Sequence, residues 1–301
     1  MFEFTLSKRH AAFFVIIALA FTCCHSKSKG PAAPLPITMI AISGGGFSMG
    51  SPADEAGHNI DETEHQVILS TFHMSKYPVT QTQYTSVMGS NPSYFASGSD
   101  AGNRPVEQVT WYDAIEFCNR LSEMEGLTPV YAITERTPRT GNPVIDAAVT
   151  PTWTNNGYRL PTEAQWEFAC RGGTVTPFNT GNNITTSQAN YDGNYPFNNN
   201  PAGVYRKTTT AADSFPPNAH GLHDMNGNVW EWCWDWYGSY PEVTQTDPVG
   251  APSGTLRVLR GGSWDFSAVP LRSAFRHSYA PSGRNIDIGF RLVLPQGGLY
   301  E

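Results

Sequence analysis

The sequence predicts a loop-rich α+β fold around an aromatic core, and three observations carry that expectation. Charged residues are only 15% of the 301-residue chain, while Gly, Pro and Trp are frequent. That mix excludes a coiled coil or a disordered chain. Helix signals are few and far apart. Between them lie short strand-like alternations and long Asn/Gly/Pro/Thr stretches.

The helices come first. Thr80-Gln81-Thr82-Gln83 is a capping box, with Tyr84, Val87 and Met88 on one face behind it. Thr110 to Asp113 opens a second helix through Leu121, with Ala114, Phe117, Cys118 and Leu121 at helical spacing. Pro161 to Gln165 opens a third, short helix that ends at Arg171-Gly172-Gly173. Strand signals follow. Ile37 to Met49 holds two short apolar runs around Gly44-Gly45-Gly46. Trp230, Trp232, Trp234 and Trp236 alternate with Glu231, Cys233 and Asp235, a period of two. Arg257–Leu259 and Gly289–Leu294 read as terminal strands. Thr134–Trp153 and Gly173–Pro217 show little periodicity and read as long loops, which in a compact domain are often functional or pinned. No internal repeat is evident.

The N-terminus reads as an export signal. Lys8-Arg9-His10 precedes an unbroken apolar run from Ala11 to Phe21. That run is too short to span a bilayer and suits a signal-peptide core. Cys23 and Cys24 follow at once, resembling a bacterial lipoprotein signal. The expected lipidated residue is Cys24, with Cys23 as the alternative, and an unlipidated secretory signal is the plainer reading. Residues 1–23 are thus the expected signal, 24–36 a tether kept extended by Pro and Lys, and 37–295 the folded domain. Lipid would be the only membrane attachment. The three remaining cysteines, Cys118, Cys170 and Cys233, allow one disulfide at most and lack zinc-site spacing. Net charge is −7, with no Lys/Arg run beyond the N-terminus, so nucleic acid is not an expected partner.

Ordered motifs then become recognisable. They are Gly45-Gly46-Phe47-Ser48-Met49-Gly50, Tyr77-Pro78-Val79-Thr80, Tyr158-Arg159-Leu160-Pro161-Thr162-Glu163, Gly221 to Met225 running into Gly227 to Trp232, Arg260-Gly261-Gly262-Ser263-Trp264, and Gly289-Phe290-Arg291. From Ile37 to Leu294 the chain resembles the formylglycine-generating-enzyme (sulfatase-modifying factor) family. The resemblance implies a C-type lectin-like fold: mixed α+β, with a twisted antiparallel sheet and little regular structure. Fold does not set function. Oxidases of that family bind copper through two cysteines five residues apart, and the matching positions here are Phe266 and Leu271. Neither can ligate copper, so no copper and no oxidase chemistry are expected. The resemblance also implies one structural calcium on Asp224, Glu231 and the carbonyls of Gly227 and Val229. The plainer reading is that Asp224 caps a turn and Glu231 accepts ordinary hydrogen bonds. A second family calcium site at Asn190 and Tyr191 lacks its acidic loop, which is Gly203-Val204-Tyr205-Arg206 here.

Arg260–Arg291 resembles the variable region of retroelement-diversified proteins, treponemal variable lipoproteins among them. In such regions a fixed frame alternates with positions templated as Asn codons. The expected frame is Arg260 to Trp264, Ala268, Arg272, Ala274, Arg276, Pro281, Arg284 and Ile288 to Arg291. The expected variable, ligand-binding positions are Asp265, Phe266, Ser267, Val269, Pro270, Phe275, His277, Ser278, Tyr279, Ala280, Gly283, Asn285, Ile286 and Asp287. Mutating the adenines of Asn codons cannot produce Trp, Met, Gln, Lys or Glu, and none of these stands at those positions. The frame should be structural, and the variable positions should face solvent, where substitution costs little stability. An ordinary loop with a few exposed aromatics is the plainer reading. The expectation is a monomeric, surface-displayed receptor or adhesin for a protein or glycan, not an enzyme.

Overall fold

The computed structural model describes Met1 and residues 36–297; the expected signal, most of the tether and both candidate lipidation cysteines, Cys23 and Cys24, lie outside the described residues. The chain divides into two units, Met1–Ala32 and Ala33–Glu301. All that follows concerns the second.

Its elements run β1 (Met39–Ile42), β2 (Gly45–Met49), β3 (His65–Leu69), β4 (Phe72–Ser75), α1 (Gln81–Met88), α2 (Trp111–Met124), β5 (Tyr131–Thr137), β6 (Asp146–Pro151), α3 (Glu163–Arg171), β7 (Trp230–Trp236), β8 (Gln245–Thr246), β9 (Arg257–Arg260), β10 (His277–Tyr279), β11 (Ile288–Gly289) and β12 (Val293–Pro295). The strands form sheets in the orders β1-β4-β12, β10-β9-β7-β11 and β2-β3-β8, plus the hairpin β5-β6.

All three helices begin where the capping signals place them. Thr80, Thr110 and Thr162 each accept the N3 amide, and Gln83, Asp113 and Gln165 each reach back to the cap amide. Gly89 and Gly172 close α1 and α3 in the left-handed conformation. Other expectations needed correction. Thr134–Trp153 is not a loop: most of it belongs to the β5-β6 hairpin, whose register shifts between Thr134 and Thr137. That irregularity breaks the alternation a strand would show. Strands β3 and β4, which belong to different sheets, left no recognised signal, although burial alternates along β3. Gly289–Leu294 is two strands in different sheets rather than one.

Strand β7 is the centre of the domain, and both its faces are buried. The Trp side meets the N-terminal end of α2. Trp232 Nε1 donates to Val109 O at 3.0 Å, and Trp111 Nε1 donates to Cys233 O at 2.9 Å. The opposite side meets α3. Trp166 Nε1 donates to Glu231 at 2.7 Å, and Glu163 N donates to Asp235 at 2.8 Å. The alternation in sequence therefore separates an apolar layer from a polar layer, not core from solvent. Gly173–Pro217 has no regular element but is pinned by its own small core. Phe178, Ile184, Tyr191 and Phe197 pack there with Ala268 and Leu271.

Four arginines of the 260–291 segment reach inward to carboxylates on other elements. Arg260 pairs with Glu167 and Arg276 with Glu163, both on α3. Arg272 grips Glu62 through both Nη atoms, at 2.7 and 2.8 Å, and Glu55 at 2.6 Å. Arg291 pairs with Glu231 on β7. Paired this way, a buried guanidinium is tolerated; stripped of it, its carboxylates stay buried and uncompensated. Arg272→Ala is expected to lower unfolding free energy by about 3–5 kcal/mol, read by urea denaturation. A loss below about 1 kcal/mol would place this pair among weak surface bridges.

Candidate functional site

The 260–291 segment wraps the β10-β9-β7-β11 sheet. It leaves β9 through Gly261 and Gly262, at φ +99° and +72°. A side chain at 262 would meet Leu271 at 2.5 Å, so only glycine makes this turn without shifting its neighbour. After a one-turn 3-10 helix at Val269–Leu271, the chain returns as β10, antiparallel to β9. It then loops to β11, which pairs parallel to β7.

The expected frame and the expected variable positions separate by burial. Of the frame residues, all are buried except Pro281 and Arg284. Trp264 is held at a T-shaped contact with Phe95 and a stack with Tyr205, and its Nε1 donates to Ile286 O at 3.3 Å. Of the fourteen positions, Asp265, Phe266, Tyr279 and Asn285 are exposed. Ser267, Val269, Phe275, His277, Ser278, Ala280, Gly283 and Ile286 are half-buried.

Two positions contradict the expectation that all face solvent. Pro270 is buried within the 3-10 turn, packed beneath Gly262. Asp287 is 2% exposed, because it immediately precedes β11 and is drawn under by the pairing to β7. Its carbonyl accepts Trp230 N at 2.8 Å, and its carboxylate accepts Ser263 Oγ at 3.0 Å. Both behave as frame.

The segment is docked largely through its main chain. Phe266 O accepts Asp192 N at 2.8 Å, Ala268 N donates to Tyr195 O at 3.0 Å, and Ser273 N donates to Pro177 O at 2.7 Å. Further along, Pro281 O accepts Trp111 N at 3.0 Å, and Asn285 O accepts Gln108 N at 2.9 Å. Main-chain bonds do not depend on which side chain is present, so the outward positions carry little of the fold's hydrogen bonding. Asp265 is an exception, receiving the Tyr205 hydroxyl at 2.6 Å.

The outward surface is aromatic. Trp230, fully buried, lies beneath Phe266, His277 and Phe275, with ring centroids 5.4, 5.0 and 6.1 Å away. Burial lowers the His277 pKa, so the ring is neutral at physiological pH. Tyr279 covers Gly283; a Cβ there would fall 2.2 Å from the Tyr279 ring. Any larger residue at 283 must move Tyr279, so these two positions are coupled. Sequence reasoning missed the rings beside Trp264. Tyr205 reaches the same face from the long 173–217 stretch through its stack on Trp264, and Phe95 meets the other side of that ring. Nothing in their local pattern marks them; only tertiary proximity does.

The residues of the expected calcium set have partners within the protein. Both Glu231 oxygens are committed: Oε2 accepts Arg291 Nε at 2.6 Å and Trp166 Nε1 at 2.7 Å, while Oε1 accepts Arg291 Nη2 at 2.8 Å. Gly227 O accepts Val229 N at 3.0 Å. Asp224 is buried and receives the Asn228 amide at 3.4 Å. A carboxylate already neutralised by a guanidinium is a poor ligand for a hard cation. Among the described residues no three His, Cys, Asp or Glu side chains converge as metal ligands. The plainer reading of Glu231 as a hydrogen-bond acceptor describes the geometry. Cys118, Cys170 and Cys233 are free and buried. Burial raises all three thiols above their ordinary range, which suppresses thiolate chemistry.

One buried acid sits close below the face. Glu107 accepts Phe95 N at 2.9 Å, and its second oxygen has no partner. Burial pushes its carboxyl up to about 7, with the charge of Asp287 adding to the effect.

Residues 27–295 match the model of the family described as "Sulfatase-modifying factor enzyme 1-like domain". The chain is 35% identical over 272 residues to a chaperone protein LppX of Paenibacillus barcinonensis, covering 85% of this chain and 88% of that one. It is 32% identical to a formylglycine-generating enzyme of Streptomyces coelicolor, covering 87% and 91%. It spans 38% of the length of the chlamydial serine/threonine-protein kinases it also matches. Among solved structures, Treponema denticola variable protein 1 superposes with a TM-score of 0.72 at 32% identity, over 87% of this chain and 96% of that one. The loop-rich, C-type lectin-like α+β fold implied by the motifs is the fold observed.

Two outcomes are expected here. Phe266→Ala and Tyr279→Ala should leave the melting temperature nearly unchanged, whereas Trp264→Ala should destabilise by about 3–5 kcal/mol; comparable losses at all three would make the exposed rings core. Glu107→Gln keeps the Phe95 bond and removes the titration. Because the folded-state pKa of about 7 lies above the ordinary 4.5, the native state holds the proton more tightly. The stability this provides is lost as pH rises through that window. The variant should therefore gain melting temperature over wild type progressively from pH 4.5 to 7 and by a constant margin above. A gain appearing only at acid pH would refute the assignment.

Proposed function

The chain belongs to the sulfatase-modifying factor enzyme 1-like family, and from that premise we propose that it is a ligand-binding protein, exported and lipid-anchored through Cys24 or Cys23, whose binding face is the outward set of the 260–291 segment. One observation carries the reading: within one continuous stretch, buried frame residues alternate with outward aromatic and small side chains, and the main chain does the docking. Phe266, Tyr279, Phe275 and His277 offer large contact area at low entropic cost, as aromatic residues do in antibody paratopes. Likeness to the variable protein of Treponema denticola supports a binding role.

The ligand is a protein, or alternatively a glycan, and display is on the outer surface, where a variable face has use. Outward positions diversify by a retroelement that rewrites Asn codons; after the burial of Pro270 and Asp287, twelve remain as ligand contacts.

An enzymatic reading follows from relatives named as formylglycine-generating enzymes. Against it stand Phe266 and Leu271, which occupy the places of the family's copper-binding cysteines and offer no thiolate. The locus decides between them. We expect a near-copy of codons 260–291 with AAC or AAT at the outward positions, and a reverse transcriptase gene beside it. Isolates should differ mainly at those positions. Turnover of a cysteine-containing sulfatase peptide by the purified chain, or a locus with neither feature, would overturn the binding reading.

A further inference from the structure

Seven arginines of the described domain are buried. Five are salt-bridged: Arg171, Arg260, Arg272, Arg276 and Arg291. Arg159 and Arg257 have no carboxylate partner among the described residues, and both line cavities that share Trp153 as a wall. No residue of 260–291 lines either cavity.

Arg257 is 4% exposed and sandwiched by indoles, its Cζ 3.8 Å from the Trp111 ring centroid and 3.4 Å from that of Trp236. Its Nη1 donates to Trp234 O, and its Nε has no partner. Arg159 lies 5.4 Å from the Trp153 ring and donates through Nη1 to Leu160 O and Gln165 Oε1. Cation–π contact offsets part of the cost of burying each charge. It leaves Nη2 of Arg257 without a protein acceptor, a charged donor that suits a carboxylate. Burial lowers both guanidinium pKa values, that of Arg257 to about 9, and the charge of Asp235 offsets only part of the effect.

The cavities measure about 550 and 390 Å³, within the usual range for small-ligand sites. Their walls are already fixed. The 247–252 strap borders both; Asp247 clips it to Ser70 N and Oγ at 2.8 and 2.6 Å, and Ala251 bridges Trp236. A preformed groove avoids the entropic cost of ordering on binding. The half-buried Trp153 offers a flat apolar surface that suits the C–H face of a sugar ring.

We infer that the Arg257 cavity walled by Trp153 is a second binding site, distinct from the 260–291 face, for a carboxylate-bearing sugar such as a uronic or sialic acid residue. The ring lies on Trp153 and the carboxylate takes the open Nη2 of Arg257, while Arg159, in the adjoining cavity against the same Trp153 ring, adds positive charge nearby. The groove does not depend on any diversified position, so its specificity stays constant while the other face changes.

The test is titration of the full chain with glucuronic acid and N-acetylneuraminic acid, followed by tryptophan fluorescence and calorimetry, with glucose and benzoate as controls. At least one acidic sugar should bind saturably, and glucose at least about tenfold more weakly. Arg257→Gln and Trp153→Leu should each weaken the acidic sugar about tenfold or more, while Phe266→Ala changes nothing. If Arg257→Gln fails to fold, Trp153→Leu and Arg159→Gln carry the comparison. Absence of saturable binding by both acidic sugars, undiminished binding in the folded variants, or binding of benzoate in their place would overturn the inference. Loss of sugar binding in Phe266→Ala would move the site to the other face.

Discussion

The buried arginine–carboxylate pairs set the shape on which everything else rests. A domain with few helices and short strands has few long ladders to hold distant segments together. Arg260 and Arg276 tie the 260–291 segment to α3, Arg272 ties it to the loop carrying Glu55 and Glu62, and Arg291 ties it to β7. Each pair is deeply buried, where breaking one partner is far more damaging than at a surface. Helix α3 can answer because its capping box starts it at Glu163, placing Glu163 and Glu167 one turn apart on the same face. Burial alone would raise the Glu163 carboxyl; Arg276 and Arg260 together outweigh it and hold it below its ordinary range.

This anchoring explains how one stretch can serve both core and surface. Frame side chains point inward to carboxylates and to the aromatic layer of β7. Outward side chains hang from a main chain whose carbonyls and amides are bonded to neighbouring loops. Substitution on the outside then alters shape and chemistry without removing a structural bond. The arrangement has limits. Tyr279 over Gly283, and Tyr205 bonded to Asp265, mean that some outward positions change together or with a fixed neighbour.

The same rule of paired charges makes its exceptions informative. Arg159 and Arg257 are buried against tryptophans without a carboxylate, and Glu107 and Asp287 each keep an unpartnered oxygen. Glu231, by contrast, is paired with Arg291 and Trp166 through three hydrogen bonds.

The sequence by itself determined the helix starts, because capping is a local bond between residues three apart. It determined the β7 alternation and the Arg-Gly-Gly turn, because these depend on neighbouring residue types. It also determined much of the split of 260–291 into buried frame and outward positions, with Pro281 and Arg284 of the frame left outside and Pro270 and Asp287 drawn in. Those two were decided by tertiary structure: a 3-10 turn and a strand pairing to β7 pulled them under. Tertiary structure alone decided the β5-β6 hairpin, whose irregular register erases its periodicity. It alone brought Tyr205 to the candidate face, and left Arg159 and Arg257 without a salt-bridge partner among the described residues. Such features arise from approach between segments distant along the chain, and no short window of sequence contains that distance.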